Sequence, residues 1–404
     1  MSPRVGIIRL IPLLALLLAA CQGGGDSNAP GDRSCVTTST DGPNGLLAAV
    51  HLPGHPFKSI ATRSGRWIFT SMSSNGIAVL RRDPGRLCLV HTVAVQGSAS
   101  GLALTRDDTM LVVANGSGAA FVDVAEAESG AKGAELGSIS EPGSPKAIEI
   151  AVTTDDRYAF VANENYGTVG AVDLQHVGRG GAPSSALLGE IQVSQGPVGL
   201  DSGPVGMALS PDGRSLYVAS RIDPVDGSPA HECNGYPPGS LAVVDVTRVG
   251  RDPSGALLTR RPAGCGPVRV VVSSSGETAW VAAQEGNQVL AFRTASLTAD
   301  PGSALLATAP VDRAPTGMAL IEDDRVVAVT NSNRFQAPNA PQSFTLLDVG
   351  RVLKGQPGLL GTIPVGAFPR ELSLESDGRT LLLTNYNSNT VDLFDVRRLP
   401  RPSS

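Results

Sequence analysis

One twelve-residue pattern, an apolar run, a polar turn and a second apolar run, recurs seven times and leaves few folds open to this chain. The copies read "ATRSGRWIFTSM", "LTRDDTMLVVAN", "VTTDDRYAFVAN", "LSPDGRSLYVAS", "VSSSGETAWVAA", "LIEDDRVVAVTN" and "LESDGRTLLLTN". Each reads as two short strands joined by a tight turn. The residues aligned at the turn are Gly65, Asp108, Asp156, Gly213, Gly276, Asp324 and Gly378, between 43 and 63 residues apart. Gly and Asp reach the positive φ that such a turn needs.

The hairpin is the front half of a larger unit. In the fourth copy, "GMALS" supplies strand A, "SLYVAS" strand B, "SLAVVDV" strand C and "ALLTR" strand D. A four-stranded unit repeating every 40–45 residues or so, with loop insertions, is the signature of a propeller. The expected fold is therefore all-β, a seven-bladed β-propeller of four-stranded antiparallel blades spanning residues 45–398. Six units open on a proline, at Pro56, Pro145, Pro204, Pro267, Pro315 and Pro369. The last unit ends at strand C, "TVDLFDV", while an orphan run, "GLLAAVHL" at 45–52, precedes the first. Pairing the two would close the ring and remove two exposed sheet edges.

"GPVGMALSPDGRSLYVAS" closely resembles the YVTN-type β-propeller repeat, as do "VAN" at 113–115 and 161–163 and the strand-C aspartates Asp123, Asp173, Asp245, Asp348 and Asp395. The resemblance covers residues 46–396 and implies the fold. It extends to 6-phosphogluconolactonase-like members, so a lactone hydrolase stands as an alternative function. The strand-B asparagines Asn115, Asn163, Asn331 and Asn385 read as structural, satisfying backbone groups in the B–C turns, and the strand-C aspartates, which repeat around the ring, read as structural too.

The first twenty residues carry Arg4 and Arg9 around "LIPLLALLLAA", the pattern of a secretory leader. "LAAC" at 18–21 resembles the bacterial lipobox, which implies acylation of Cys21. Gln22 at the next position implies sorting to the outer membrane. Residues 21–44, beginning "CQGGGDSNAPG", read as a flexible tether. The expected location is the cell envelope, with the membrane reached through the lipid anchor. The formal charge of −5 and the absence of basic runs speak against nucleic acid. A monomer is expected.

Four cysteines remain: Cys35, Cys88, Cys233 and Cys265. An even number in an oxidising compartment suggests two disulfides. Cys233 lies in a strand B–C insertion at 221–239 and Cys265 in the loop leading into the fifth unit, one blade away. That pairing would leave Cys35 to Cys88. No CxxC or CxxCH occurs, and no metal or cofactor is expected.

Propeller topology puts the D–A and B–C loops on one face, the top. Charged residues just after the opening prolines, Lys58, Lys146, Arg269, Arg370 and Glu371, should ring the axial mouth. Glu164, Arg221, Glu285 and Tyr386 join them from B–C loops, and His231 from the long insertion. A second insertion occupies 332–342. Excess cations there would receive a small acidic ligand or a partner's carboxylate. No GxSxG, P-loop or HExxH occurs, and no histidine has an evident partner as a general base. The reading is an envelope-anchored binding or scaffolding module, with its recognition surface on the top of blades 4–6. The lactonase and a binding subunit of an envelope redox system are the alternatives, and an envelope protein is the other candidate partner.

Overall fold

A computed structural model describes residues 34–400 apart from 144, 179–182, 200, 226–232, 234 and 338–339. Cys21, the leader and His231 lie outside the described residues. Seven antiparallel sheets form the blades. In blades 1 to 7 the inner strand A runs Pro56–Ala61, Leu102–Leu104, Ala147–Val152, Pro204–Leu209, Pro267–Val272, Pro315–Ile321 and Pro369–Leu374.

All seven aligned turn residues adopt left-handed backbone, with φ between 57° and 76°. This is why only Gly and Asp occupy the position: other side chains meet the carbonyl there. The aspartates also connect blades. Asp108 accepts from the Arg63 amide at 2.8 Å, Asp156 from Arg106 at 2.6 Å and Asp324 from Ser274 at 2.5 Å, each in the preceding blade's turn.

Middle strands B and C are covered on both faces by neighbouring blades. Tyr158–Asn163 and Thr168–Asp173 are buried at every position, so they read as continuous apolar runs rather than alternating ones. Trp280 fills the space between blades 5 and 6 with Val327 and Val329. The strand-C aspartates are structural, and their role is capping. Asp123, Asp173, Asp245, Asp348 and Asp395 each accept a backbone amide two or three residues on, turning the chain toward strand D.

The ring closes as the orphan strand requires. Leu46–His51 pairs antiparallel with Thr390–Asp395 and becomes the outer strand of blade 7. Ala48, Val50 and Leu52 pack against Ile68 and Leu80 of blade 1 and Leu382 and Val391 of blade 7.

Structure also starts earlier than residue 45. Ser34–Thr37, within the segment read as tether, adds a fifth outer strand to blade 1. Cys35 sits opposite Cys88 in that register, and the two are bonded. Cys233 is bonded to Cys265, so both disulfides take the expected partners. A further difference concerns blade 3. Ala147, not Pro145, pairs where the opening prolines of other blades pair, so Pro145 stands two residues early.

Val50 has no exposed surface. Val50→Asp would place an unpaired carboxylate in the closing seam and should lower stability by about 3 kcal/mol or more. Chemical denaturation measures it; a midpoint equal to wild type would contradict closure by this strand.

Candidate functional site

One position of strand A, seven residues before the turn residue, faces the ring axis in every blade. From blade 1 to blade 7 it holds Lys58, Gly101, Glu149, Gly206, Arg269, Gly317 and Glu371. Charge and glycine alternate. The charged residues of the odd blades meet across the axis. Lys58 Nζ lies 2.7 Å from Glu149 Oε1, and Arg269 Nη1 lies 2.5 Å from Glu149 Oε2. The other arm of Arg269, Nη2, donates to Glu371 Oε2. Glu149, Arg269 and Glu371 are buried.

The glycines bring the blades together. A Cβ on Gly101 would lie 2.5 Å from Glu149 Cα; on Gly206, 2.6 Å from the Val268 carbonyl oxygen; on Gly317, 2.6 Å from that of Arg370. Blades 2, 4 and 6 therefore press against blades 3, 5 and 7. None of the three has left-handed φ, so close approach is what calls for glycine at this position. Seven is odd, and blade 1 meets blade 7 without an intervening glycine.

Burial would push the Glu149 carboxyl up, but Lys58 and Arg269 together hold it below its ordinary value. For Glu371 burial prevails and raises it to about 6 against the pull of Arg269. Arg269 loses solvent yet is held above its ordinary value by Glu371 and Glu149. The layer carries two cations and two anions and closes on itself. Of the residues expected at the mouth, Lys58, Arg269 and Glu371 reach the axis, where Lys58 pairs with Glu149 and Arg269 with Glu149 and Glu371. Glu149 was missed because it does not follow Pro145 at the spacing found elsewhere. Counting back from Asp156 instead of forward from the proline finds it.

Above this layer the chain forms a second charged group. Lys146, the residue before strand A of blade 3, pairs with Glu164 at 2.9 Å and with Asp201. Arg221 lies 4.0 Å from Glu164 and 3.6 Å from Glu285. Arg334, from the blade 6 insertion, is pushed below its ordinary value by loss of solvent and then by Arg221, with Glu164, Asp201 and Glu285 opposing. Lys146, Glu164, Arg221 and Glu285 are thus brought together, as the sequence suggests, but as a balanced cluster.

Arg370 is placed differently. Its guanidinium carbon lies 3.5 Å from the centre of the Phe57 ring, 5.8 Å from Tyr386 and 6.0 Å from Phe368. Its Nε is buried without a hydrogen-bond partner. Loss of solvent, then repulsion from Arg269 and Arg334, pushes it down to about 10. Arg370, Arg334, Phe57, Phe368 and Tyr386 help line a cavity of about 580 Å³ above the blade 7–blade 1 seam. Its described lining includes no Asp or Glu. His55 stacks on Tyr386 with ring centres 4.8 Å apart and fixes that wall. Ser332, Arg334, Gln336 and Gln342 from the blade 6 insertion line the other wall, so the cavity draws on blades 6, 7 and 1.

Of the strand-B asparagines only Asn115 accepts a backbone amide, from Ser117; the amides of Asn163, Asn331 and Asn385 bond side chains instead of the expected backbone groups. Asn163 Nδ2 donates to Glu141 at 2.5 Å and Thr168 at 3.2 Å; Asn385 Nδ2 donates to Asp392 at 2.7 Å and Thr390 at 3.0 Å. The same amide is satisfied once by a carboxylate from the preceding blade's loop and once by its own strand C. Burial pushes Glu141 up to about 7 and Asp392 up to about 6. Among the described residues no group of His, Cys, Asp and Glu could hold a metal ion.

No family model matches the chain, and no curated protein matches it. Solved structures do. A chain of hydrazine synthase from Kuenenia stuttgartiensis is 18% identical with a TM-score of 0.64, covering 86% of this chain and 97% of that one. A chain of the mitotic checkpoint complex is 14% identical with a TM-score of 0.64, covering 95% and 99%. The β-propeller domain of Cps50 (Swd1) from Myceliophteria thermophila is 11% identical with a TM-score of 0.61, covering 88% and 100%. At these identities the likeness establishes the fold, a seven-bladed β-propeller, and nothing about activity.

Arg269→Met would leave the buried Glu149 and Glu371 carboxylates without their shared cation and should destabilise the ring by about 3–5 kcal/mol. Lys58→Met, at a partly exposed position, should cost less. Denaturant midpoints rank the two; equal and small effects would contradict a load shared across the axis.

Proposed function

We propose that this chain is a binding module of the cell envelope, held by a lipid on Cys21, that recognises an acidic group in the cavity above blades 6, 7 and 1. One observation carries the reading: the half-buried guanidinium of Arg370, with its Nε unpartnered, lines that cavity, and no carboxylate is in the described lining. Burying an unpaired charge costs several kcal/mol, and a bound anion would recover it through charge-assisted hydrogen bonds. Stacking on Phe57 holds the guanidinium in place beforehand. The two disulfides suit an oxidising compartment, and the leader and Cys21 support export and anchoring.

Lactone hydrolysis is less well supported. It needs a base poised over a water, and the described lining offers neither carboxylate nor imidazole. The nearest carboxylate in sequence, Glu371, is bonded to Arg269 beneath the cavity.

Thermal shift with acetate, succinate, benzoate and inorganic phosphate tests the reading, because a ligand of the native state raises the melting temperature by mass action. At least one anion should stabilise the wild type. Arg370→Met keeps the contact with Phe57, removes the charge, and should melt no lower than wild type while losing the shift. No shift from any of the four, or shifts equal in Arg370→Met, would contradict the proposal.

A further inference from the structure

The balance of charge around the axis says more about the ligand, on the assumption that the cavity above is the recognition site. The axial layer is neutral: Lys58 and Arg269 face Glu149 and Glu371. The upper cluster is balanced too. Lys146, Arg221 and Arg334 share the field of Glu164, Asp201 and Glu285. Among these described residues one charge is left over, and it belongs to Arg370. The wall around it is aromatic: Phe57 touches the guanidinium face, and Phe368 meets Tyr386 edge-on with ring centres 5.5 Å apart. The rest of the lining is uncharged and polar apart from Arg334, including Ser332, Asn333 and Asn387.

We infer that the cavity takes a single carboxylate carried on an apolar or aromatic body, with the carboxylate on Arg370 and the body against Phe57, Phe368 and Tyr386. Arg370 favours a single negative charge; a second would be desolvated with only Arg334 to meet it, a cation already in the field of Glu164, Asp201 and Glu285. The rings add apolar area that a bare anion does not use. The cavity volume suits a ligand of up to drug size, or the last residues of a peptide whose C-terminal carboxylate is captured. Both sources present the same chemistry.

Calorimetric titration of the full chain with matched probes decides it. 3-Phenylpropionate should bind at least 10-fold more tightly than 3-phenylpropionamide, which lacks the charge, and than propionate, which lacks the ring. Benzylphosphonate and phenylsuccinate, which add charge, should bind no better than 3-phenylpropionate. Arg370→Met should abolish the preference for acid over amide. A peptide ending in Ala-Phe and its C-terminal amide separate the sources. Tighter binding of the free acid than of 3-phenylpropionate assigns a peptide terminus, and the reverse assigns a small molecule. Equal binding of acid and amide, equal binding of propionate, or preference for the dianions would each overturn the inference. Should some other anion still bind in an Arg370-dependent way, the recognition site stands and only the ligand class falls. If no anion binds at all, both fall together.

Discussion

Four side chains meet on the axis of this ring, and the rest of the architecture is arranged around that meeting. Lys58, Glu149, Arg269 and Glu371 come from alternate blades and pair across what would otherwise be a water-filled channel. Long charged side chains reach the centre only if the strands carrying them are close to it. The intervening blades supply that closeness by having no side chain at the same position. Gly101, Gly206 and Gly317 let the backbone of the next blade approach to where a methyl group would stand. Glycine costs conformational entropy in a strand, and a buried ion network rarely adds net stability over an apolar core. Its more persuasive role is to set the order and spacing of inner strands, since only one arrangement satisfies both arms of Arg269.

An odd number of blades cannot alternate perfectly. The sequence of charge and glycine runs out between blade 7 and blade 1, where Glu371 and Lys58 are neighbours around the ring. There the contact is made by Arg370 on Phe57, and above it the cavity opens. The site is thus placed by the same pattern that closes the axis. The seam is also where the first and last blades are joined, by the outer strand that residues 46–51 add to blade 7. Binding and closure share one region, and the rigidity of the second supports the geometry of the first.

The fold was legible in the sequence because its strongest signals are local. A left-handed turn accepts few residues, and the same Gly or Asp at seven places reports the repeat directly. Ring closure followed from counting strands, and disulfide pairing from their loops. The site was only partly legible. Lys58, Arg269, Arg370 and Glu371 were found by their nearness to a proline, but that landmark slips by two residues in blade 3, which hid Glu149 and led only to Lys146, above the axial layer. Measured from the turn, the register is uniform and the alternation of charge and glycine appears. The separate fate of Arg370 and Glu371, adjacent in sequence, could not be read: strand alternation sends one to the aromatic seam and the other to the axis, and which cation lacks an anion depends on partners two blades away.

The claim that glycine at this position exists to close the axis has a direct test in the sign of one substitution. Gly206 sits in a strand without left-handed φ, where alanine would ordinarily stabilise by about 0.4–1 kcal/mol by restricting the unfolded chain. Here its methyl would lie 2.6 Å from the Val268 carbonyl oxygen and 2.8 Å from Arg269 Cα. The account predicts that Gly206→Ala lowers the denaturation midpoint, through overpacking of about 1–3 kcal/mol. A midpoint unchanged or raised would show that blades 4 and 5 do not depend on that approach, and the closed axis would have to be given up.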